Sequence, residues 1–180
     1  MEYPNTTVQN VIAAQSDVLK PKTLSETIIS AFNDRLADEY AAHYFYRGAA
    51  NWCANVNYKK AAAFFEAESA SELEHAAILQ KYMTDWNAMP ILPSVKFNGE
   101  FDSLIDIVNK SYAIEFKLGE DYNKISASIF SEHLPTFDFL KKFRKIQNQA
   151  IAEYSDLLNA AQLIDVSSKL DLLHFEERYF

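Results

Sequence analysis

The apolar stripes of this sequence turn polar near their midpoints, and the residues found there are of types that bind metals. Following spacings of three and four residues along each predicted helix places Glu39 on the first stripe and Glu115 on the third. The second stripe carries Glu72 and His75, and the fourth carries Gln147. Midpoints of equally long, packed helices share one level whatever the chain direction. The sequence therefore predicts that three carboxylates and one imidazole converge in the core.

Buried carboxylates need a positive partner, because an unpaired charge in an apolar core is very costly. No lysine or arginine occupies these stripe positions. Glu72 and His75 stand at i and i+3 of one helix, so they lie on the same face and can bind one ion together. Carboxylate-rich sites with one imidazole suit iron or manganese. Three carboxylates fit two divalent ions bridged by Glu72; the alternative is a buried hydrogen-bond network without metal.

The composition favours a single helical domain. The 180 residues include 3 Gly and 5 Pro, too few for the many turns of an all-β fold. A net charge of −8 argues against nucleic acid and anionic membranes as partners. No apolar run approaches the roughly 18 residues of a membrane-spanning helix. Cys53 is the single cysteine and forms no internal disulfide, which indicates a reducing, cytoplasmic setting.

The start of the chain differs from the rest. Residues 1–17 contain no basic residue and resemble neither a secretory signal nor a transit peptide. We therefore expect a flexible N-terminal extension over residues 1–17, followed by one domain over residues 18–180.

Five helical segments are predicted. Thr23-Leu24-Ser25-Glu26 has the form of a capping box and opens a first helix that runs to about residue 53. Asp102 is the expected cap of the third helix, and Pro135 marks the break before the fourth. The other predicted helices span about 57–86, about 102–131, about 136–163 and about 168–178.

The connections between these helices predict the topology. Short turns make the first and second helices antiparallel, and likewise the third and fourth. The loop over residues 87–101 can extend on the order of 50 Å. A helix of about 28 residues is about 42 Å long. The loop can therefore run the whole length of the bundle and leave the second and third helices parallel. The predicted fold is all-α: a four-helix bundle with one long crossover and a short fifth, C-terminal helix.

From about residue 19 to about residue 163 the chain resembles the non-haem ferritins, members of the ferritin-like di-iron family of the heavy-chain and bacterial types. The matching segments include Glu39 with Tyr46 seven residues on, and the run Glu72-Leu73-Glu74-His75-Ala76. The run Pro135-Thr136-Phe137-Asp138-Phe139-Leu140 also matches. The resemblance implies a ferritin-like bundle, as the topology does.

The resemblance also implies a role for each polar core residue. Glu39, Glu72 and His75 match the ligands of a first iron, and Glu72 and Glu115 match those of a second. Gln147 matches a helper glutamine beside the second iron. Tyr46 matches a tyrosine near the centre. Two irons per subunit are thus expected as the cofactor.

The function that the resemblance implies is iron storage with ferroxidase activity. Fe(II) and O2 would react at a di-iron centre within each subunit, and a homo-oligomeric cage of 24 subunits would store the Fe(III) mineral. Haem is not expected, because Leu73 stands where bacterioferritins carry a haem-ligating methionine, and Ala150 where they carry a second histidine. A di-iron carboxylate oxidase without mineral storage is the alternative function.

Some positions depart from the family pattern. The glutamates of a third iron site are replaced by Ser71, Ile146, Gln149 and Ala150. Lys141 stands where the threefold channel of the family often carries a second acid. His43 and Glu68, each one turn from a predicted ligand, are expected to form a pair that hydrogen-bonds or briefly holds an incoming ion.

Overall fold

The structure, a computed structural model, describes residues 21–96 and 99–180, and five helices make up most of this part of the chain. The expected N-terminal extension over residues 1–17 lies outside the described residues. The helices are α1 (Glu26–Asn55), α2 (Lys59–Asp85), α3 (Leu104–Ile129), α4 (Leu134–Ala161) and α5 (Lys169–Tyr179). Their bounds agree with the predicted ones to about two residues. In the described segments, no helix is long and apolar enough to cross a membrane.

Two predicted helix caps are wrong by one or two residues. Ser25, not Thr23, caps α1, and its Oγ accepts a hydrogen bond from the Ile28 N–H at 3.3 Å. Ser103, not Asp102, caps α3, and its Oγ accepts from the Asp106 N–H at 3.0 Å. In both cases a serine in extended conformation directly precedes the helix, where its hydroxyl reaches the third N–H.

The fourth helix begins earlier than predicted. Pro135 was expected to stand before it, but α4 starts at Leu134 and includes Pro135 in its first turn. Proline is tolerated there, because the first N–H groups of a helix have no intrahelical acceptor.

Side-chain contacts define the direction of each helix. Gln80 bonds to Tyr40, and Glu66 bonds to Arg47, so residue numbers fall along α2 as they rise along α1. The pairs Tyr122–Glu39 and Tyr46–Glu115 show the same reversal between α1 and α3. Both α2 and α3 are therefore antiparallel to α1 and parallel to each other. This is the predicted bundle with one long crossover, which here runs over residues 86–103.

The core consists of two apolar clusters with a polar layer between them. One cluster includes Phe65, Val108 and Tyr154. The other includes Phe32 and Leu79. On α2 the two clusters are separated by a stretch that contains Glu72 and His75, and on α4 by one that contains Gln147.

A carboxylate of α5 caps the N-terminus of α2. Glu176 is buried, and its Oε1 accepts hydrogen bonds from the backbone N–H groups of Lys60 at 2.6 Å and Ala61 at 3.0 Å. These N–H groups belong to the first turn of α2, which has no side-chain cap of its own. The buried Phe175 packs beside them. Glu176 thus fixes the last helix to the end of the bundle.

Replacing this cap should weaken the fold measurably. Glu176→Ala leaves two N–H groups at the start of α2 without an acceptor, and we expect the free energy of unfolding to fall by about 1–2 kcal/mol. Urea unfolding followed by circular dichroism measures it. Glu177→Ala is the control, because Glu177 makes an exposed ion pair with Lys60 that should contribute less than about 1 kcal/mol. Equal unfolding midpoints for the two variants would contradict the capping role.

Candidate metal centre

Three of the predicted ligands meet between α1 and α2. Glu39, Glu72 and His75 each offer one ligand atom, and these atoms all lie within 4.8 Å of one another. His75 Nδ1 lies 2.9 Å from Glu72 Oε2 and 3.5 Å from Glu39 Oε2. All three side chains are buried. The group has the ligand types and the spacing that one divalent ion requires.

The helix geometry of α2 explains the orientation of the imidazole. Glu72 and His75 are three residues apart and project from the same face. The second ring nitrogen, His75 Nε2, lies 3.4 Å from Ser71 Oγ. A histidine that binds a metal through one nitrogen usually bonds through the other to a fixed partner. Ser71, noted in the sequence for the glutamate it replaces, is therefore placed to orient His75.

Glu115 lies beside this group but is not part of it. Its carboxylate accepts hydrogen bonds from two helices, one from the Tyr46 hydroxyl of α1 and one from Gln147 of α4. In the amide orientation that satisfies both of its polar atoms, Gln147 donates to Glu115 Oε2 at 2.8 Å and to the Glu115 carbonyl at 3.2 Å. Glu115 also lines one cavity of about 150 Å³ with Glu72 and His75. The predicted second ligand set is thus adjacent to the first.

Gly119 makes room for α4 at this point. A Cβ at that position would lie 3.0 Å from Ile151 Cδ1 and 3.6 Å from Gln147 Cβ. The missing side chain therefore allows α4 to approach α3 one turn from Glu115, where Gln147 makes its hydrogen bonds.

Two tyrosines hold two of the carboxylates in a reciprocal arrangement. Tyr46 of α1 donates to Glu115 of α3, and Tyr122 of α3 donates to Glu39 of α1. Nothing in the sequence alone singles out Tyr122, so this contact is one that sequence reasoning misses. A signal was present: each tyrosine follows a glutamate of its own helix by seven residues. On antiparallel helices this spacing brings each hydroxyl to the level of the opposite carboxylate.

One carboxylate oxygen of the centre is left without a hydrogen bond. Glu39 Oε2 is buried and makes no hydrogen bond with any described residue. Its nearest positive group is His75, at the 3.5 Å given above. Among the described residues, His75 is the only basic group that forms an ion pair with Glu39, Glu72 or Glu115. One imidazolium cannot neutralise three carboxylates, so the donor set fits a bound cation.

The pKa values of the centre show that protons can offset its charge. Burial raises the pKa of Glu72 well above its usual range and raises that of Glu115 to about 7. Burial disfavours the His75 cation, but the nearby carboxylates of Glu39 and Glu72 outweigh it and raise the pKa of His75 to about 10. Burial also opposes the Glu39 anion, yet the nearby side chains of His75 and Glu72 lower its pKa. Protons therefore occupy the centre until a metal displaces them.

The predicted His43–Glu68 pair is wrong. His43 Nδ1 lies 2.8 Å from the Ser69 carbonyl oxygen and 2.9 Å from Ser69 Oγ. Glu68 instead accepts a hydrogen bond from Tyr154 at 3.3 Å. The reason is the rotation of α2: Ser69 faces α1, whereas Glu68, one residue earlier, faces the cavity toward α4.

The cavity beside the centre opens between α2 and α4. Its lining includes all four positions at which the glutamates of a third iron site are absent: Ser71, Ile146, Gln149 and Ala150. Two other carboxylates, Glu68 and Glu153, lie there instead. The centre is therefore connected to the surface of the bundle by an acidic opening.

Comparisons with known proteins agree with this geometry. A family model of the ferritin-like domain matches residues 29–164. A probable bacterial non-heme ferritin-like protein of Haemophilus influenzae is 21% identical over 148 residues, which cover 81% of this chain and 90% of that protein. The bacterial non-heme ferritin of Staphylococcus epidermidis is 26% identical over 104 residues, 57% of this chain and 63% of that protein.

Solved structures show the same fold. A humanized archaeal ferritin superposes with a TM-score of 0.81 at 19% identity, covering 87% of this chain and 96% of the other. An open pore ferritin from the hyperthermophilic archaeon Archaeoglobus fulgidus gives a TM-score of 0.81 at 20% identity, covering 87% and 98%. At these identities the likeness supports the four-helix architecture rather than any particular activity.

Metal binding at the centre should release protons and depend on pH. Below about pH 7 Glu115 holds a proton that competes with the metal, and above it the carboxylate is free, so affinity should rise between about pH 6 and about pH 8. Calorimetric titration with Zn²⁺, which undergoes no redox reaction, in buffers of different ionisation enthalpy measures both effects.

Two variants control this titration. Glu115→Gln should weaken the binding and lower the number of protons released near neutrality by about one, whereas Glu120→Gln, an exposed change on the same helix, should leave both unchanged. An affinity that stays constant over the pH range, with no buffer-dependent heat, would show that Zn²⁺ binds elsewhere.

Proposed function

The chain belongs to the non-haem ferritins of the ferritin-like domain family, and from this premise we propose that it is an iron-storage subunit with ferroxidase activity. Its substrates are Fe(II) and O2, and its product is stored Fe(III). The observation that carries the proposal is the buried group Glu39, Glu72 and His75, with Glu115 beside it and one carboxylate oxygen without a hydrogen bond.

Each residue of the centre has a distinct role in this proposal. Glu39, Glu72 and His75 hold one ferrous ion, and Glu72 and Glu115 hold a second. Gln147 fixes the carboxylate of Glu115 by donating to it. Glu72 lies in the ligand group and also lines the cavity with Glu115, a position suited to bridging two ions.

The charges of the centre favour the oxidised product. Binding of ferrous ions displaces the protons of the buried carboxylates and of His75. One O2 then accepts two electrons, one from each ion, and each iron gains a positive charge. Hard, anionic oxygen ligands stabilise that added charge. Tyr46 and Tyr122 keep the carboxylates of Glu115 and Glu39 oriented while the charge changes.

In this proposal, the acidic opening between α2 and α4 is the exit for Fe(III). It connects the centre with the surface past Glu68 and Glu153. Fe(III) leaving the centre would pass these carboxylates on its way to the storage space.

Storage requires a closed shell, and the exposed apolar residues are suited to forming one. Met89, Ile91 and Leu92 lie in the crossover, with Met89 83% exposed. Phe130 and Leu134 flank the turn before α4. A C-terminal patch, defined as the exposed residues in and before α5, consists of Leu163, Val166, Leu170 and Leu173. Exposed apolar patches of this kind mark contact surfaces, and we propose that they join copies of the chain in a symmetric cage, expected from the family to have 24 subunits.

The size of the cavity argues against the alternative, a di-iron oxidase of an organic substrate. Pockets for organic ligands usually measure about 300–1,000 Å³ and are mainly apolar. The cavity beside the centre measures about 150 Å³ and is lined largely by carboxylate, imidazole and amide groups. Ferrous ions fit this space and lining better.

The ferroxidase proposal depends most on Glu72. Because Glu72 is shared by both proposed ion positions, Glu72→Gln should lower the initial rate of Fe(II) oxidation by about 100-fold or more, beyond the loss typical of residues that only orient a metal ligand. Stopped-flow absorbance after mixing with O2 measures the rate. Glu66→Gln, an exposed change on the same helix, is the control and should match the parent. Equal rates for the two variants would place the oxidation outside this centre.

The cage proposal depends on the C-terminal patch. Leu170 is 74% exposed, and a charge there would be buried without a partner when copies associate. Leu170→Glu should therefore convert a large shell into smaller species, as measured by native mass spectrometry or light scattering. Lys169→Glu, its exposed neighbour, should preserve the shell. A parent protein that is itself a small particle, with no iron uptake beyond its bound ions, would favour the oxidase alternative.

A further inference from the structure

A groove runs along the surface of the bundle between α1 and α3. It is made of two cavities, of about 290 Å³ and about 330 Å³, and Asp121 lines both. The second cavity lies nearer the start of α1, where Ala31 and Ile125 belong to its lining. From Ala31 to Phe45 the groove follows α1 for about 21 Å. The first cavity is mainly apolar, and its lining includes Ala41, Ala42, Phe45, Ile114 and Leu118.

A charged bridge crosses this groove near its middle. Arg35 of α1 forms ion pairs with Asp38 at 2.6 Å and with Asp121 of α3 at 3.1 Å. Lys117 of α3 also pairs with Asp121. Because apolar lining lies on both sides of this bridge, a segment that filled the groove would need apolar side chains toward each end and a polar one between them.

The described part of the chain begins near one end of this groove. The side-chain amide of Asn87 donates to the Lys22 carbonyl at 3.1 Å, and the Ser25 hydroxyl donates to Glu132 in the turn after α3. These bonds hold the chain at the end of the bundle where α1 begins. The groove starts about 9 Å further along α1. Residues 1–20 are joined to the bundle at this end and are within reach of the groove.

The sequence of residues 1–20, which lie outside the described residues, contains a pattern that matches the groove. Apolar residues recur there at spacings of three and four, and one polar residue, Gln15, interrupts them. Such positions belong to one face of a helix, here about 17 Å long. The residues between them are polar or alanine. The apolar positions are Val8, Val11, Ile12, Val18 and Leu19.

We propose that residues 8–19 bind in the groove between α1 and α3 of their own chain and run antiparallel to α1. Residues 20–25 then form the connection, and six residues are an ordinary length for a link between antiparallel helices. The binding of this segment does not depend on the ferroxidase function proposed above.

The order of side chains in the segment agrees with this placement. In the antiparallel register that brings Leu19 level with Ala31, residue numbers in the two elements add up to a constant. Val8 is then level with Ala42, in the apolar part of the groove. Gln15 is level with Arg35, so its amide meets the charged bridge and can form hydrogen bonds there.

A second cavity on α1 provides a contrast. It lies between α1 and α2, and its lining includes Arg47, Lys59 and Glu66. Arg47 is about 33 Å along α1 from Ser25, at the opposite end of the bundle. Both its distance and its charged lining make it a poor match for residues 8–19.

Photo-crosslinking in the full chain tests where the segment binds. The probe p-benzoylphenylalanine in place of Ile12, on the apolar face, should cross-link to peptides of α1 and α3 that line the groove. The same probe in place of Ala13, on the opposite face, is the control and should not yield these products. Chains labelled with ¹⁵N and refolded together with unlabelled chains show whether a product joins one chain or two. Products that join two chains, or that map to another surface, would overturn the proposal.

Filling the groove should prevent the cross-link. Ala41→Trp places a large side chain in the groove between α1 and α3, and the product formed by the probe at position 12 should be lost. Ala54→Trp fills the contrasting cavity between α1 and α2 and should leave the yield unchanged. Both alanines are exposed on α1, so circular dichroism should show that both variants fold. Equal yields in the two variants would contradict binding in this groove.

Thermal unfolding measures whether the binding stabilises the protein. Ile12→Asp should lower the melting temperature by about 3–10 °C, because it removes an apolar side chain from the groove. Ala13→Asp adds the same charge on the opposite face and should leave the melting temperature unchanged. Identical melting temperatures for the two variants would show that residues 8–19 are not bound through their apolar face.

Discussion

Three carboxylates buried at the middle of an apolar core are the constraint on which the rest of this molecule depends. Such groups are tolerated only when protons, hydrogen bonds or cations offset their charge. Protons can do so here, because burial raises the pKa of Glu115 to about 7 and that of Glu72 well above its usual range. Two apolar clusters, one on each side, provide the burial that keeps the polar layer together. The same layer that weakens the core is the one that can bind metal.

The hydrogen bonds around the centre hold its carboxylates in place. Tyr46 and Tyr122 each cross from one helix to a carboxylate of the antiparallel neighbour, and Gln147 adds a contact from α4. These donors satisfy carboxylate oxygens but leave Glu39 Oε2 free of hydrogen bonds. A centre preorganised in this way can exchange protons for ions with little rearrangement of the helices. Acidic side chains that bound a metal loosely at the surface would not need this network of hydrogen bonds.

The sequence predicts the architecture and the convergence of Glu39, Glu72 and His75, because helical periodicity and equal helix lengths are local properties that can be counted. It does not predict which residue of a neighbouring pair faces which helix. The Glu68 prediction is wrong because α2 is rotated so that Ser69 faces α1. The partner of Glu176 lies more than a hundred residues away, and no local pattern indicates it. The spacing of seven between Glu115 and Tyr122 was visible, but a spacing along one helix does not show which side chain of the facing helix each hydroxyl meets.

If these side chains form one site for two metal ions, anomalous diffraction from crystals soaked anaerobically with Fe(II) should show two peaks. The peaks should lie about 3.5–4 Å apart, one among Glu39, Glu72 and His75 and the other between Glu72 and Glu115. A single peak at Glu68 and Glu153, or no peak inside the bundle, would contradict it.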